Sequence, residues 1–341
     1  MTAIKEFSTR WGRPDHRTFF ERDLEGLIGS AKDSPLNTPN FRPFDMLTEP
    51  SQSLVVWQNE DMRIGVESLS GPAPAFRRGC DYDELWFQFA GETTVETEYG
   101  EVEMTPSELL LIPAGIAHRS TGKGQSLRLF VQLPEPVNIV LGEDKMVSHT
   151  EFDVVRHGGS NWPVGNGSEP PKGRVLEKLS RWDDGPNDTV TVERNYEHLV
   201  GVASQGRGLQ KLRAFDFFTG MTGKSGPGPM IMESSVFNVE VYNTEGSQFA
   251  FHRGLDNDEM WLQFRGDSEN ESEFGAVHLR PGEMNHVPAG IAHHVVGGEG
   301  FLRLVLYSRK PWKLMVDPTK HAFESRFEPT TRVLVAPDWK K

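Results

Sequence analysis

The chain is short of cysteine: Cys80 is the single one among 341 residues. No intrachain disulfide is therefore possible, and a reducing cytoplasm is the expected setting. Long apolar runs are also missing. The opening MTAIKEFSTRW has no stretch to serve as a secretory leader. Nor does the sequence contain the roughly 18 successive apolar residues of a membrane helix. Basic charge is scarce, with 36 Lys and Arg against 49 Asp and Glu, a formal net charge of −13. That balance argues against nucleic acid and against an anionic membrane surface as partners, because both need a basic face. It does not exclude a small anionic substrate, which responds to local charge. Glycine and proline, in contrast, are plentiful at 34 and 23. They indicate many turns and an all-β protein more than one of long helices.

The sequence contains a duplication. FRRGCDYDELWFQF at 76–89 matches FHRGLDNDEMWLQF at 251–264, and PAGIAH at 113–118 recurs unchanged at 288–293. Arg77 and His252, Glu84 and Glu259, and His118 and His293 each stand 175 residues apart, so no insertion separates the copies over this block. In DEMWLQF, Glu259, Trp261 and Gln263 alternate with Met260, Leu262 and Phe264, which places the two sets on opposite faces of a strand. Short strands punctuated by Gly and Pro turns predict an antiparallel barrel or jelly roll in each copy. The expected division is an N-terminal barrel with its arm over 1–145, a connection over 146–232 and a C-terminal barrel over 233–341. Two helices are expected: an amphipathic one over 16–30, with Phe20, Leu24, Leu27 and Ile28 on one side, and a short one over 175–182.

The repeated block resembles the two motifs of the cupin superfamily. The C-terminal copy fits the first with Gly246, His252, Glu259 and Gly266, and the second with Gly282, Pro288, Gly290 and His293. Gly254 stands where the first motif has its second histidine, and Gly297 where the second motif has asparagine. The N-terminal copy fits with Gly71, Glu84, Gly91, Pro113, Gly115 and His118, but has Arg77 and Gly79 in place of both motif histidines and Ser107 in place of a glycine. The resemblance implies a bicupin of two tandem jelly-roll barrels with a few short helices. It also implies that His252, Glu259 and His293 bind one metal. Two imidazoles and one carboxylate, with open positions, are the ligand set of non-haem iron(II) oxygenases. Gly254 is then expected to open a coordination position and clear space beside the metal. Arg77 cannot offer a lone pair and is expected to pair with Glu84, leaving the N-terminal barrel without metal.

FHR at 251–253, with an acid soon after, resembles the metal segment of the homogentisate 1,2-dioxygenases. In size the chain is similar to the large subunit of the hydroquinone 1,2-dioxygenases. These likenesses imply an Fe(II)-dependent enzyme that uses O2 to cleave the ring of a small hydroxylated aromatic of hydroquinone, homogentisate or gentisate type. They also imply a small second subunit in the hydroquinone case, and self-association of the chain. His286 is the candidate acid or base toward a phenol, beside its alternative as a core histidine. Trp261 and Gln263 share a strand face with Glu259 and are candidate pocket residues, or barrel filling. Arg253 and Arg303 are candidates for holding a substrate carboxylate, or for ion pairs. His294 faces away from the ligand before it and is expected to be structural. Asp81 and Asp83 match Asp256 and Asp258, which points to a turn needed by both barrels. Two rival functions remain: another metal-cupin reaction (decarboxylase, isomerase or quercetinase-like oxygenase), and a non-catalytic binding bicupin.

Overall fold

The computed structural model describes residues 3–10, 13–23, 39–97, 100–139, 174–183, 189–195, 209–215, 230–243, 246–247, 251–272, 275–316 and 320–321. Among these the chain is almost wholly strand. The single helical element is a 3-10 turn at Pro43–Met46, and no helix is long and apolar enough to cross a membrane. Contacts sort the chain into two units. One comprises Met1–Pro43, Ile139–Ser148 and Phe217–Lys341, the other Phe44–Asn138 and His149–Asp216. The arm thus belongs by contact with the C-terminal barrel, whereas the sequence reading attached it to the N-terminal one.

In the unit around Phe44–Asn138, Asp83–Thr97 and His118–Leu133 pair antiparallel, with register shifts between Lys123 and Leu127 and between Leu127 and Arg128. Such bulges bend and twist long strands, curling the sheet on itself. Asp83–Thr97 also pairs with Glu108–Ile112, and His118–Leu133 with Arg63–Pro72. The enclosed core includes Trp86, Val95, Val102, Leu110, Ile112 and Phe130.

The other unit is a two-sheet barrel. One sheet runs Arg13–Asp23, Ala3–Arg10, Phe251–Gly254, His293–Gly297, Ser268–Ser272, Gly275–Leu279. The facing sheet contains Met230–Glu233, Phe237–Tyr242, Leu302–Ser308, Asp258–Arg265, Met284–Val287 and Pro39–Phe41 in that order. Trp261, Leu279, Val287, Ile291, Val295, Phe301 and Val305 fill the space between them. His252 and His293 come from one sheet and Glu259 from the other, so closing the barrel is what brings the three together.

Both helix expectations are corrected. Arg13–Asp23 is a strand, as is Arg174–Ser180; residues 24–30 of the first expected helix lie outside the described ones. Phe76–Gly79 and Phe251–Gly254 would otherwise present unpaired backbone groups. Arg174–Ser180 adds parallel to the first and Ala3–Arg10 parallel to the second, and each added strand carries an antiparallel partner. Pairing overrides local helix preference. The burial pattern agrees: Leu176 is 47% exposed while Glu177 beside it is 0% exposed, the alternation of a strand.

The turns obey the duplication. Gly91 and Gly266, which follow equivalent strand segments, have φ of 68° and 65°. Ser107, standing for Gly282, keeps the left-handed backbone at φ 77° against 84°. The turn is therefore retained in the N-terminal copy at the strain cost of a side chain.

Candidate metal centre

His252, Glu259 and His293 are buried together, each offering one ligand atom within 4.8 Å of the others. Nε2 of His252 lies 3.7 Å from Oε1 of Glu259, and Nε2 of His293 lies 3.4 Å from Oε2. The two rings sit 3.8 Å apart between centroids. Nδ1 of His293 donates to the Ile291 carbonyl at 3.0 Å, which fixes the tautomer and leaves the Nε2 lone pair facing the carboxylate. That Nε2 is buried with no hydrogen-bond partner. Trp261 Nε1 donates to Glu259 Oε2 at 3.1 Å and orients the carboxylate. Burial alone would raise the pKa of Glu259; positive charge on His293 and His252, when they are protonated, outweighs it and holds the group well below the usual carboxylate range, a role that a bound cation would take over beside neutral imidazoles. An anionic carboxylate and an orphaned imidazole lone pair converging in a buried space fit a divalent cation.

The N-terminal copy shows the contrast. His118 repeats the bond to the preceding carbonyl, Nδ1 to Ile116 O at 3.1 Å, and its Nε2 lies 3.7 Å from Glu84. Trp86 holds Glu84 at 2.9 Å. Arg77 takes the place of His252, and its closest ion pair is with Glu67, at 3.8 Å, where Glu84 was expected. Glu84 still acts on Arg77 through its field. Arg128 Nε donates to Glu67 at 2.8 Å. Two guanidinium groups therefore supply the positive charge that Glu67 and Glu84 require, where the C-terminal barrel offers a metal-ligand cluster.

Gly254 does not leave free space. A Cβ there would meet the Asn257 amide at 2.8 Å, just as a Cβ on Gly79 would meet the Tyr82 ring at 2.8 Å. The glycine makes room for a neighbouring side chain in both copies, which corrects the expectation of a cleared position.

Trp261 reaches the triad; the other candidates make hydrogen bonds away from it, although Arg303 still feels the field of Glu259. His286 lies opposite Met260 in the strand register, not opposite Glu259, and its Nε2 is 2.9 Å from Asp258 Oδ2. Arg253 donates to the Gly290 carbonyl, and Arg78 donates likewise to Gly115 in the N-terminal copy. Gln263 ties its turn through Arg265 O at 3.1 Å and Gly266 O at 2.7 Å, as Gln88 does with Ala90 and Gly91. Arg303 lies over the Trp261 ring at 4.0 Å and donates to Ser268 at 2.6 Å; Arg128 lies over Trp86 at 3.5 Å. Burial lowers the pKa of Arg303 to about 9, so it remains a cation at neutral pH. Asp258 accepts from the amides of Ala289 and Trp312 at 2.8 and 3.0 Å; Asp83 does the same with Ala114 and Val137 at 2.9 and 3.0 Å. These repeated bonds hold the PAGIAH loop, and so the last ligand. His294 stacks on Phe251 at 4.9 Å, away from His293.

Three residues near the triad escaped the sequence reading: Tyr242, Tyr307 and Glu240. Tyr307 lies opposite Glu259 in the strand register. It donates to Glu240 at 3.0 Å and shares a 3.2 Å hydrogen bond with Tyr242. The signal was in the repeat: the residues 175 earlier are Glu67, Gln132 and Gly65, so all three positions differ between the copies.

No family model matches the sequence, and no curated protein matches it. The chain is similar in structure to a cupin 2 conserved barrel domain protein from Leptotrichia buccalis, at 10% identity and TM-score 0.48 over 81% of this chain and 99% of that one. It is also similar to protein Ylba from E. coli, at 9% identity and TM-score 0.45 over 80% and 90%. A third is a serine-to-alanine mutant of Bacillus subtilis oxalate decarboxylase, at 11% identity and TM-score 0.42 over 83% and 80%.

Proposed function

We infer that the protein is an iron(II)-dependent dioxygenase that opens the ring of a hydroxylated aromatic. The observation that carries this is the buried cluster of His252, Glu259 and His293, two imidazoles and one carboxylate in one barrel. That ligand set is the one non-haem iron(II) oxygenases use. Iron bound there would supply an electron path between a coordinated phenolate and dioxygen. The protein supplies the rest. The Ile291 carbonyl keeps His293 in the tautomer that presents Nε2. Trp261 keeps the carboxylate turned to the site. Val287, Ile291, Val295, Phe301 and Val305 are buried in one cluster with Trp261, an apolar setting of the kind that suits an aromatic ring. A small second subunit and self-association belong to this reading as proposals.

The test is oxygen uptake by anaerobically purified, iron(II)-loaded protein with hydroquinone, homogentisate, gentisate or catechol. Uptake with one of them, accompanied by absorbance of a ring-opened product and abolished in His252→Ala, is expected. Iron bound without uptake on any of the four, even after supply of a small partner chain, would contradict it.

A further inference from the structure

We propose that Tyr242, fixed by Tyr307 and Glu240, is a specificity-determining acceptor that selects ligands carrying a second hydroxyl. The proposal rests on the reading of a hydroxylated aromatic at the metal cluster, and names what the far side of that ligand must present.

The argument is one of hydrogen-bond polarity. A carboxylate only accepts, so Tyr307 donates its single proton to Glu240, at 3.0 Å. The Tyr307 oxygen, 3.2 Å from that of Tyr242, then has only lone pairs to offer. Whether Tyr242 gives its own proton to Tyr307 or to Glu240, that proton is used. What remains on Tyr242 is acceptor capacity alone. A group meeting it from the barrel interior must donate: a hydroxyl fits, whereas an ether, a ketone or a carboxylate leaves a buried acceptor facing an acceptor. Tyr242 and Glu240 are 8% and 9% exposed, so water does not easily relieve such a mismatch. Burial and the nearby Glu240 and Glu259 carboxylates push both phenols up, so both keep their protons near neutral pH.

Location rests on two observations. Tyr307 stands opposite Glu259 across neighbouring strands. In the other copy, Glu67 holds the place of Tyr242 and forms an ion pair with Arg77, which holds the place of His252. The side chain at this position thus reaches toward the first ligand position. The string is confined to the copy with the metal cluster. Gly65 stands for Glu240, and a Cβ there would lie 2.2 Å from the Phe130 ring, so the N-terminal barrel has no room for the carboxylate.

The test is anaerobic equilibrium binding to protein loaded with one equivalent of iron(II). One probe is hydroquinone, whose second hydroxyl donates; the other is 4-methoxyphenol, whose ether cannot. The unmodified protein is expected to prefer hydroquinone about tenfold, the scale of one buried hydrogen bond. Tyr242→Phe should bring the ratio near one, with metal content and 4-methoxyphenol affinity unchanged. Glu240→Gln offers a donor to Tyr307 and lets the string reverse, so 4-methoxyphenol should gain on hydroquinone. Equal affinities in the unmodified protein, or an unchanged ratio in Tyr242→Phe, would overturn the proposal. Binding with the expected Tyr242 dependence, but no oxygen consumed with any of the four substrates even after supply of a small partner chain, would overturn ring cleavage and leave the recognition standing. Failure of both probes to bind would overturn the proposal, and oxygen uptake with homogentisate, gentisate or catechol would then leave ring cleavage standing.

Discussion

His118 and His293 show how much a residue's role is set by its neighbours. Both are 1% exposed, and both place Nδ1 on the carbonyl two residues earlier. His293 shares its surroundings with a second imidazole, whereas His118 has guanidinium groups nearby. Burial, with Arg77 and Arg128 adding to it, lowers the pKa of His118 from 6.5 to about 4 despite Glu84. The sign follows from linkage. Between those two values the unfolded chain binds a proton that the folded chain refuses, so stability falls as pH drops through the window. The full effect is on the order of 3 kcal/mol. Urea denaturation of the unmodified protein and His118→Gln at pH 7, 6 and 5 should show a smaller acid loss in the variant. Identical losses would contradict the assignment.

At the scale of elements, the decisive feature is the strand that each barrel core receives from a distant part of the chain. Arg174–Ser180 brings Glu177, 0% exposed, to within 2.7 Å of Arg78 Nε. Removing one member of a buried pair strands the other, at about 3–5 kcal/mol. Glu177→Ala should therefore lower the urea midpoint of the unit around Phe44–Asn138, whereas Glu193→Ala, in the solvent-exposed pair with Arg174, should change it little. Equal effects would contradict the role given to Glu177. The repeat, the strand phase of DEMWLQF and the turns were legible in the sequence because period-two alternation and glycine spacing are local signals. The two added strands were not: VLEKLSRW carries helix-forming residues, and pairing with Thr189–Asn195 and with the distant strand Phe76–Gly79 makes it extended. The cluster of His252, Glu259 and His293 was legible because its three members fall in spaced motifs. The tyrosine string was not, since Tyr242 and Tyr307 lie 65 residues apart, on strands that become neighbours only when Phe237–Tyr242 pairs with Leu302–Ser308.

For the molecule as a whole, duplication gave two barrels of one plan whose interiors balance charge differently. In one, Arg77 and Arg128 face Glu67 and Glu84. In the other, Glu259 faces two imidazoles, and Tyr242 stands where Glu67 did. The carboxylates of the first are balanced by its own guanidinium groups; those of the second would be balanced by a bound cation. The direct measurement is metal content by elemental analysis after loading with excess iron(II) and gel filtration. One iron per chain is predicted for the unmodified protein and for Arg77→Ala, and close to none for His293→Ala. Two per chain in the unmodified protein, or one retained in His293→Ala, would contradict a single centre at His252, Glu259 and His293.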